Sequence, residues 1–185
     1  MEEIRFVHLS EVNQQQIIDL MNNEMVGKQL PLLANGFSTA NCRAFLNAKK
    51  QLWDQHGYGP WAFLIKDEFA GWGGLQTENG DADFALVLHP RFWGWGRRIF
   101  NQIKDQAFNQ MQLDSITILL PPSRPNSKAI TRFGFIEEGQ LTIDDETFVK
   151  FRLSKAYLAI ILPSIARPYF LLPNSPFSAP AFSFT

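Results

Sequence analysis

The sequence predicts a mixed α/β fold, and three observations carry that reading. Short runs rich in β-branched and aromatic residues alternate with longer stretches whose apolar residues recur every three or four positions. Asn79-Gly80 sits between two extended runs, and that pair tolerates positive φ at both central positions of a hairpin turn. Ile99, Ile103, Ala107 and Met111 fall four apart and put one core-facing stripe on one helix. The element order that results is β-α-α-β-β-β-α-β-α-β-β.

Ile4 to His8 alternates apolar and polar residues and reads as the first strand. Ser10 is a candidate N-cap for a helix to about Asn23, with Val12, Ile17, Leu20 and Met21 on its apolar side. Residues 24–37 carry Gly27, Pro31 and Gly36 and read as loop. Ser38 or Thr39 caps a second helix to about Gln55, whose apolar face includes Cys42, Phe45, Leu46 and Trp53. Trp61 to Ile65 and Phe69 to Leu75 read as strands joined across Lys66-Asp67-Glu68. Asp83 to Leu88 is the next strand, and it ends at His89-Pro90. A glycine-bearing loop then opens the helix that runs to about Met111. Ser115 to Leu120 is an apolar, β-branched run of the kind found in buried strands. A short helix, about Ser127 to Phe133, follows Pro121-Pro122. Two strands, about Phe135 to Ile143 and Glu146 to Leu153, close the domain.

The composition bounds the function. The chain has 185 residues, which suits one domain, and 45% hydrophobic residues, which suits a sizeable core. A net charge of −1 argues against a protein held on nucleic acid by a basic surface. The lone Cys42 excludes an intramolecular disulfide framework and a Cys-rich zinc site. Met1-Glu2-Glu3 has neither the basic nor the apolar region of a secretory leader, and no apolar run reaches the roughly 18–20 residues that span a bilayer. A soluble, cytoplasmic protein is expected. Residues 1–155 have the mixed charge and periodicity of a folded domain. Residues 156–185 hold one charge, Arg167, and five of the eleven prolines, and they read as an extended or partly disordered arm.

Chemistry concentrates between Asp83 and Arg98. A strand runs into a short loop with Gly94 and Gly96, and that loop opens a helix with Arg97 and Arg98 in its first turn. Glycine lets a phosphate approach the backbone, and the first helical turn offers it unpaired N–H groups. Arginine this early opposes the helix dipole unless an anion sits there, so Arg91, Arg97 and Arg98 make sense around a pyrophosphate. A tight turn with solvated arginines is the alternative. The dinucleotide fingerprint does not fit, because its third glycine would fall on Ile99. A P-loop does not fit either, since no Gly-Lys-Ser/Thr follows.

Arg91-x-x-Gly94-x-Gly96 resembles the R/Q-x-x-G-x-G/A acyl-CoA signature of the GNAT superfamily of N-acetyltransferases. Leu86-Val87-Leu88-His89-Pro90 looks like the end of that family's fourth strand, and Arg132-Phe133-Gly134-Phe135-Ile136-Glu137-Glu138-Gly139 like its entry into the sixth. Trp93-Gly94-x-Gly96 is similar to the branch containing ribosomal-protein N-terminal alanine acetyltransferases. The resemblance covers about residues 3–153. It implies a mostly antiparallel central sheet of about 6–7 strands flanked by helices. It also implies acetyl-CoA as acyl donor and direct transfer to a primary amine, on a small molecule or on a protein N-terminus or lysine. Backbone groups near Leu86, Val87 and Leu88 would pair with the pantetheine between splayed fourth and fifth strands, and Trp93, Gly94, Trp95, Gly96, Arg97 and Arg98 would cradle the pyrophosphate. Asp83 is then the candidate base, with a strand-start surface carboxylate as its alternative, and Glu78 and Asp81 are expected in solvent beside the turn. Counting back from Gly134, the family's tyrosine position falls on Ile130 and its asparagine on Ser123. A helix one turn shorter puts Asn126 and Ala129 in the asparagine and small-residue roles and makes Ser127 a candidate catalytic hydroxyl near the thiol, with a polar residue of the helix start and no chemistry as its alternative. Tyr58 and Trp61 read as core, with the acceptor side as the other option. No nucleic acid or membrane is expected as partner, and the chain is expected to act as monomer or homodimer. A weakly active CoA-binding or interaction module is the rival reading.

Overall fold

Seven strands make one sheet in the order β1-β2-β3-β4-β5-β7-β6. They are β1 (Ile4–His8), β2 (Pro60–Ile65), β3 (Glu68–Glu78), β4 (Asp81–Leu88), β5 (Ser115–Leu120), β6 (Ile136–Ile143) and β7 (Glu146–Ser154). The computed structural model describes residues 3–28, 30, 36–122, 130–143 and 145–156. Every pairing is antiparallel except β4 with β5. The helices are α1 (Gln14–Met21), α2 (Glu24–Gly27), α3 (Thr39–His56) and α4 (Gly96–Asp105), the last continued by a single π turn over Gln106–Gln110.

The two faces of the sheet carry separate cores. Ile99, Phe100 and Ile103 of α4 pack on Phe84, Leu88, Ile116 and Leu120. Ile17, Leu20 and Met21 of α1 and Cys42 of α3 pack on Ala62, Trp72 and Val87 of the opposite face. The stripe at spacing four is therefore real: Ile99, Ile103 and Ala107 are buried and Met111 packs at its end.

Most elements fall where the residues predicted them, and the differences have local causes. The expected cap at Ser10 is displaced, because residues 9–11 form a 3₁₀ turn and the Asn13 side chain accepts from Gln15 N–H to start α1. The stretch read as loop from residue 24 opens with α2, for which the Asn23 carboxamide accepts from both Met25 and Val26. Ser38 caps α3 as expected. Asn79 and Gly80 take φ of 50° and 82° and turn β3 tightly into β4. The predicted helix from about Ser127 lies mostly outside the described residues, as does the arm beyond Ala156.

The packing of β3 on β4 fixes the strand that matters most. A Cβ added at Gly73 would lie 2.5 Å from the Ala85 carbonyl oxygen and 3.0 Å from the Leu86 Cα. Glycine there lets the backbone of β4 sit against β3 at Ala85 and Leu86.

Candidate acetyl-transfer site

The parallel pair β4–β5 meets at a single register position, Asp83 opposite Thr117. Beyond that bridge β4 continues to Leu88 and β5 to Leu120 without pairing, so the sheet opens between them. An opened sheet exposes one line of N–H and C=O groups on each strand, which is what an extended ligand needs to insert as an extra strand. Leu86 and Leu88 point to the α4 face, and Val87 to the face of α1 and α3.

The short glycine-bearing loop expected after β4 is a structured turn. Residues 90–95 form a 3₁₀ turn whose N-cap is His89, its Nδ1 accepting from Arg91 N–H at 3.3 Å. Trp93 Nε1 donates to the Leu88 carbonyl at 3.0 Å and ties the turn to the strand end. Arg91 meets Glu68 at 3.2 Å with both side chains well exposed, so the pair adds little stability and leaves the guanidinium free to move toward an anion. The Arg98 guanidinium lies over the Trp95 ring at 4.5 Å.

The start of α4 is where the resemblance leads one to expect the pyrophosphate. No side chain caps it, and its first turn carries no acidic residue. Neither Gly94 nor Gly96 has positive φ. Nothing lies within 4 Å of a Cβ added at Gly94, and one added at Gly96 would touch only Leu86 and Leu88 side-chain carbons at 3.5 and 3.9 Å. Neither backbone strain nor packing demands glycine here. At Gly94 the missing side chain leaves open space beside the turn that leads into α4, room of the kind that lets a phosphate come close to backbone.

Asp83 is not a surface carboxylate. It is 5% exposed and lies on the face of α1 and α3 beside the bridge. Thr117, 1% exposed, donates from Oγ1 to Asp83 Oδ1 at 3.0 Å. Burial pushes the Asp83 carboxyl up to about 7, against the opposing pull of the Thr117 hydrogen bond. The expectation that Asp81 is solvated is also corrected. Arg152 donates to both its oxygens, at 2.8 and 2.9 Å, and Lys150 adds a further ion pair. The Arg152 hydrogen bond is the main reason that the Asp81 carboxyl falls to about 2. Arg152 also donates to Glu138 at 2.6 Å and to Ser115 at 2.8 Å, so this network locks β4, β5, β6 and β7 together at the closed end of the opening.

Residue-level reading missed Thr117 and Arg152. The available signal was weak: Ser115 and Thr117 are polar at alternate positions of an otherwise apolar strand, which places both on one face. Asn126 and Ser127, with Ser123 and Ala129, lie outside the described residues. Ile130 packs against the α4-side core. Tyr58 and Trp61 line a different cavity of about 470 Å³, with Trp53, Gln106, Met111 and Leu113, and no residue expected to touch the cofactor borders it. The Tyr58 hydroxyl pairs with Thr77 Oγ1 at 3.2 Å. No group of His, Cys, Asp and Glu suited to a metal occurs among the described residues. No helix among them is long and apolar enough to cross a membrane.

The family model of the acetyltransferase (GNAT) domain matches residues 4–136. The chain belongs to the GNAT acetyltransferase family. Its fold agrees with solved structures of GNAT enzymes. An acetyltransferase from Agrobacterium tumefaciens superposes with a TM-score of 0.68 at 15% identity, over 84% of this chain and 93% of that one. An aminoglycoside acetyltransferase in complex with coenzyme A gives 0.65 at 14% identity, over 86% and 98%. A spermidine N-acetyltransferase from Vibrio cholerae gives 0.63 at 16% identity, over 86% and 97%. No curated protein sequence matches the chain. This GNAT protein is thus an acyltransferase with acetyl-CoA as its donor.

Proposed function

We propose that this GNAT enzyme transfers the acetyl group of acetyl-CoA directly to a primary amine, with Asp83 as the base. The observation that carries the reading is the opening of β4 from β5 at Asp83, with a glycine-bearing turn and an uncapped helix at its far end. Acetyl-CoA would supply the thioester carbonyl that the amine attacks. The amides at the start of α4, with Arg97 and Arg98, would hold its pyrophosphate, and Arg91 would swing in from Glu68. The unpaired edge of β4 through Leu86, Val87 and Leu88 would pair with the pantetheine amides. Trp93 and Trp95 would wall the turn.

Asp83 suits its role because a base works best near the pH at which it titrates, and burial holds this carboxyl near 7. Its charged form accepts the proton of an incoming ammonium, directly or through one water. The second proton of the attacking nitrogen passes to the departing thiolate, and Ser127 is the candidate hydroxyl beside that sulfur to relay it, with Asn126 beside the cofactor, in the alignment with the shorter helix. The acceptor is an amine of a small molecule or of a protein. The aminoglycoside and spermidine enzymes are amine acetyltransferases by name. The wording at Trp93-Gly94 resembles the branch that acetylates N-terminal alanine.

A second reading, a CoA-binding module with little turnover, has one observation behind it. No tyrosine hydroxyl stands at the opening among the described residues, since Tyr58 is committed to Thr77. Calorimetry with acetyl-CoA and CoA, followed by thiol release with spermidine, kanamycin and an alanine-starting peptide, separates the two. Saturable binding with thiol release on one amine supports the enzyme. Binding without release on any of them supports the module, and no binding at millimolar ligand removes both.

A further inference from the structure

We propose that Thr117 is a positioning residue for acetyl transfer: from the one backbone bridge between β4 and β5 it holds Oδ1 of Asp83, so the contact that closes the sheet also aims the base. This rests on the reading of Asp83 as the base.

A hydroxyl in this position is not required by packing. Thr117 sits in a buried strand between Ile116 and Ile118, where valine has the same shape. A buried hydroxyl is costly unless it is hydrogen-bonded, and the bond that satisfies this one goes to Asp83. Opposite Thr117 on β7 is Arg152, whose guanidinium is committed to Asp81, Glu138 and Ser115. Opposite Asp83 on β3 is Gln76, which accepts from Lys49 of α3 at 2.6 Å. The charged groups that bear on Asp83 are Glu78 of β3, Asp81 of its own strand and Lys150 of β7. Lys150 is held by Asp81 and Glu138. Among the described residues Thr117 therefore makes the one side-chain hydrogen bond that Asp83 receives. It fixes one carboxylate oxygen and leaves Oδ2 for the proton.

The direction of its effect follows. A donor to a carboxylate favours the charged form and works against the burial that raises Asp83. Removing it leaves the carboxyl protonated at neutral pH and free to turn.

The test uses the full chain with Thr117→Val, Thr117→Ser and Asp83→Asn. The first readout needs no acceptor: carbon-13 NMR of labelled aspartate carboxyls across pH, with the Asp83 signal assigned by its loss in Asp83→Asn. Thr117→Val should raise the Asp83 midpoint by about one to two pH units, the worth of one hydrogen bond to a charged group. Thr117→Ser should restore it. On whichever amine turns over, the acid limb should move with the midpoint, with activity at pH 7 falling about fivefold or more. Acetyl-CoA affinity should stay close to the parent's, and the rate should climb with pH through the shifted midpoint without regaining the parent's plateau, because the carboxylate is no longer aimed. An unmoved midpoint in Thr117→Val overturns the inference, even if Asp83→Asn is inactive and the base reading stands. Full activity in Asp83→Asn overturns the base reading itself, and the positioning role with it, whatever the midpoint does.

Discussion

Asp83 carries opposite consequences for activity and stability. Its folded-state pKa, about 7, lies above the unfolded value near 3.8. Well below pH 3.8 both states are protonated and the group is neutral in its effect. As pH rises toward 7 the unfolded chain gives up this proton more readily than the folded one, so stability falls across that window and is flat above it. The shift corresponds to about 4 kcal/mol at most, at about 1.4 kcal/mol per unit. Asp83→Asn keeps the shape and removes that cost. It should therefore raise Tm at pH 8 by several degrees, change it little at pH 3.5, and abolish acetyl transfer with acetyl-CoA affinity intact. Thermal melts at the two pH values, beside calorimetry and a thiol-release assay, check all of this. The same Tm difference between variant and parent at both pH values would mean that the carboxyl is not held near 7. Asp81 works in the other direction: Arg152 and Lys150 hold it ionised, and the stability they give is lost as pH falls from about 3.8 through about 2. The residues that the sequence made easy to see were those with special backbone needs or motif spacing, such as Asn79, Gly94 and Gly96. Burial of Asp83 and its bond to Thr117 depend on partners 34 positions apart, which no local pattern reports.

At the scale of elements, the strand that borders the opening is held by the strand behind it. Gly73→Ala would press a methyl against the Ala85 carbonyl and the Leu86 Cα, both backbone atoms of a packed sheet. Overpacking of this kind costs about 1–3 kcal/mol. The variant should melt several degrees lower and bind acetyl-CoA more weakly, because relief of the clash moves β4. Unaltered affinity would show that β4 at Leu86 is not part of the cofactor groove. Gly94→Glu is the complementary test, since open space surrounds that position. It should leave Tm unchanged and remove acetyl-CoA binding by placing bulk and negative charge over the helix amides. Local signals also set the limits of element reading. The Asn-Gly turn and the stripe from Ile99 were legible because both depend on neighbours in sequence. The start of α1 was misplaced because Ser10 and Asn13 are equally good caps, and the 3₁₀ turn at Leu9–Glu11 decided between them.

For the whole molecule, the sheet is two antiparallel blocks, β1 to β4 and β5 to β7, whose backbones pair at one parallel bridge. The order of strands was readable from the alternation of runs, but the place where the sheet fails to close was not. It arises from how two crossover-connected strands diverge, and only the family resemblance pointed to it. Lys155 anchors the end of the described fold, its N–H on the Asp114 carbonyl at 2.8 Å and its Nζ on that of Phe108 at 2.6 Å. Ending the chain after Ala156 keeps those bonds, so Tm and acetyl-CoA affinity should match the parent's. A large drop in either would give residues 157–185 a part in the domain.

The incomplete pairing of β4 with β5 has a kinetic signature. Alternate amides of a strand point to opposite neighbours, so half of those after Asp83 face β3 and half face the opening. Two populations of amide should coexist on one strand in deuterium exchange. Those bonded to β3 should exchange only when the sheet opens, and those facing the gap should exchange orders of magnitude faster. Acetyl-CoA should slow the fast set alone. The sheet then carries its own record of occupancy, residue by residue along β4, readable before any acceptor is known.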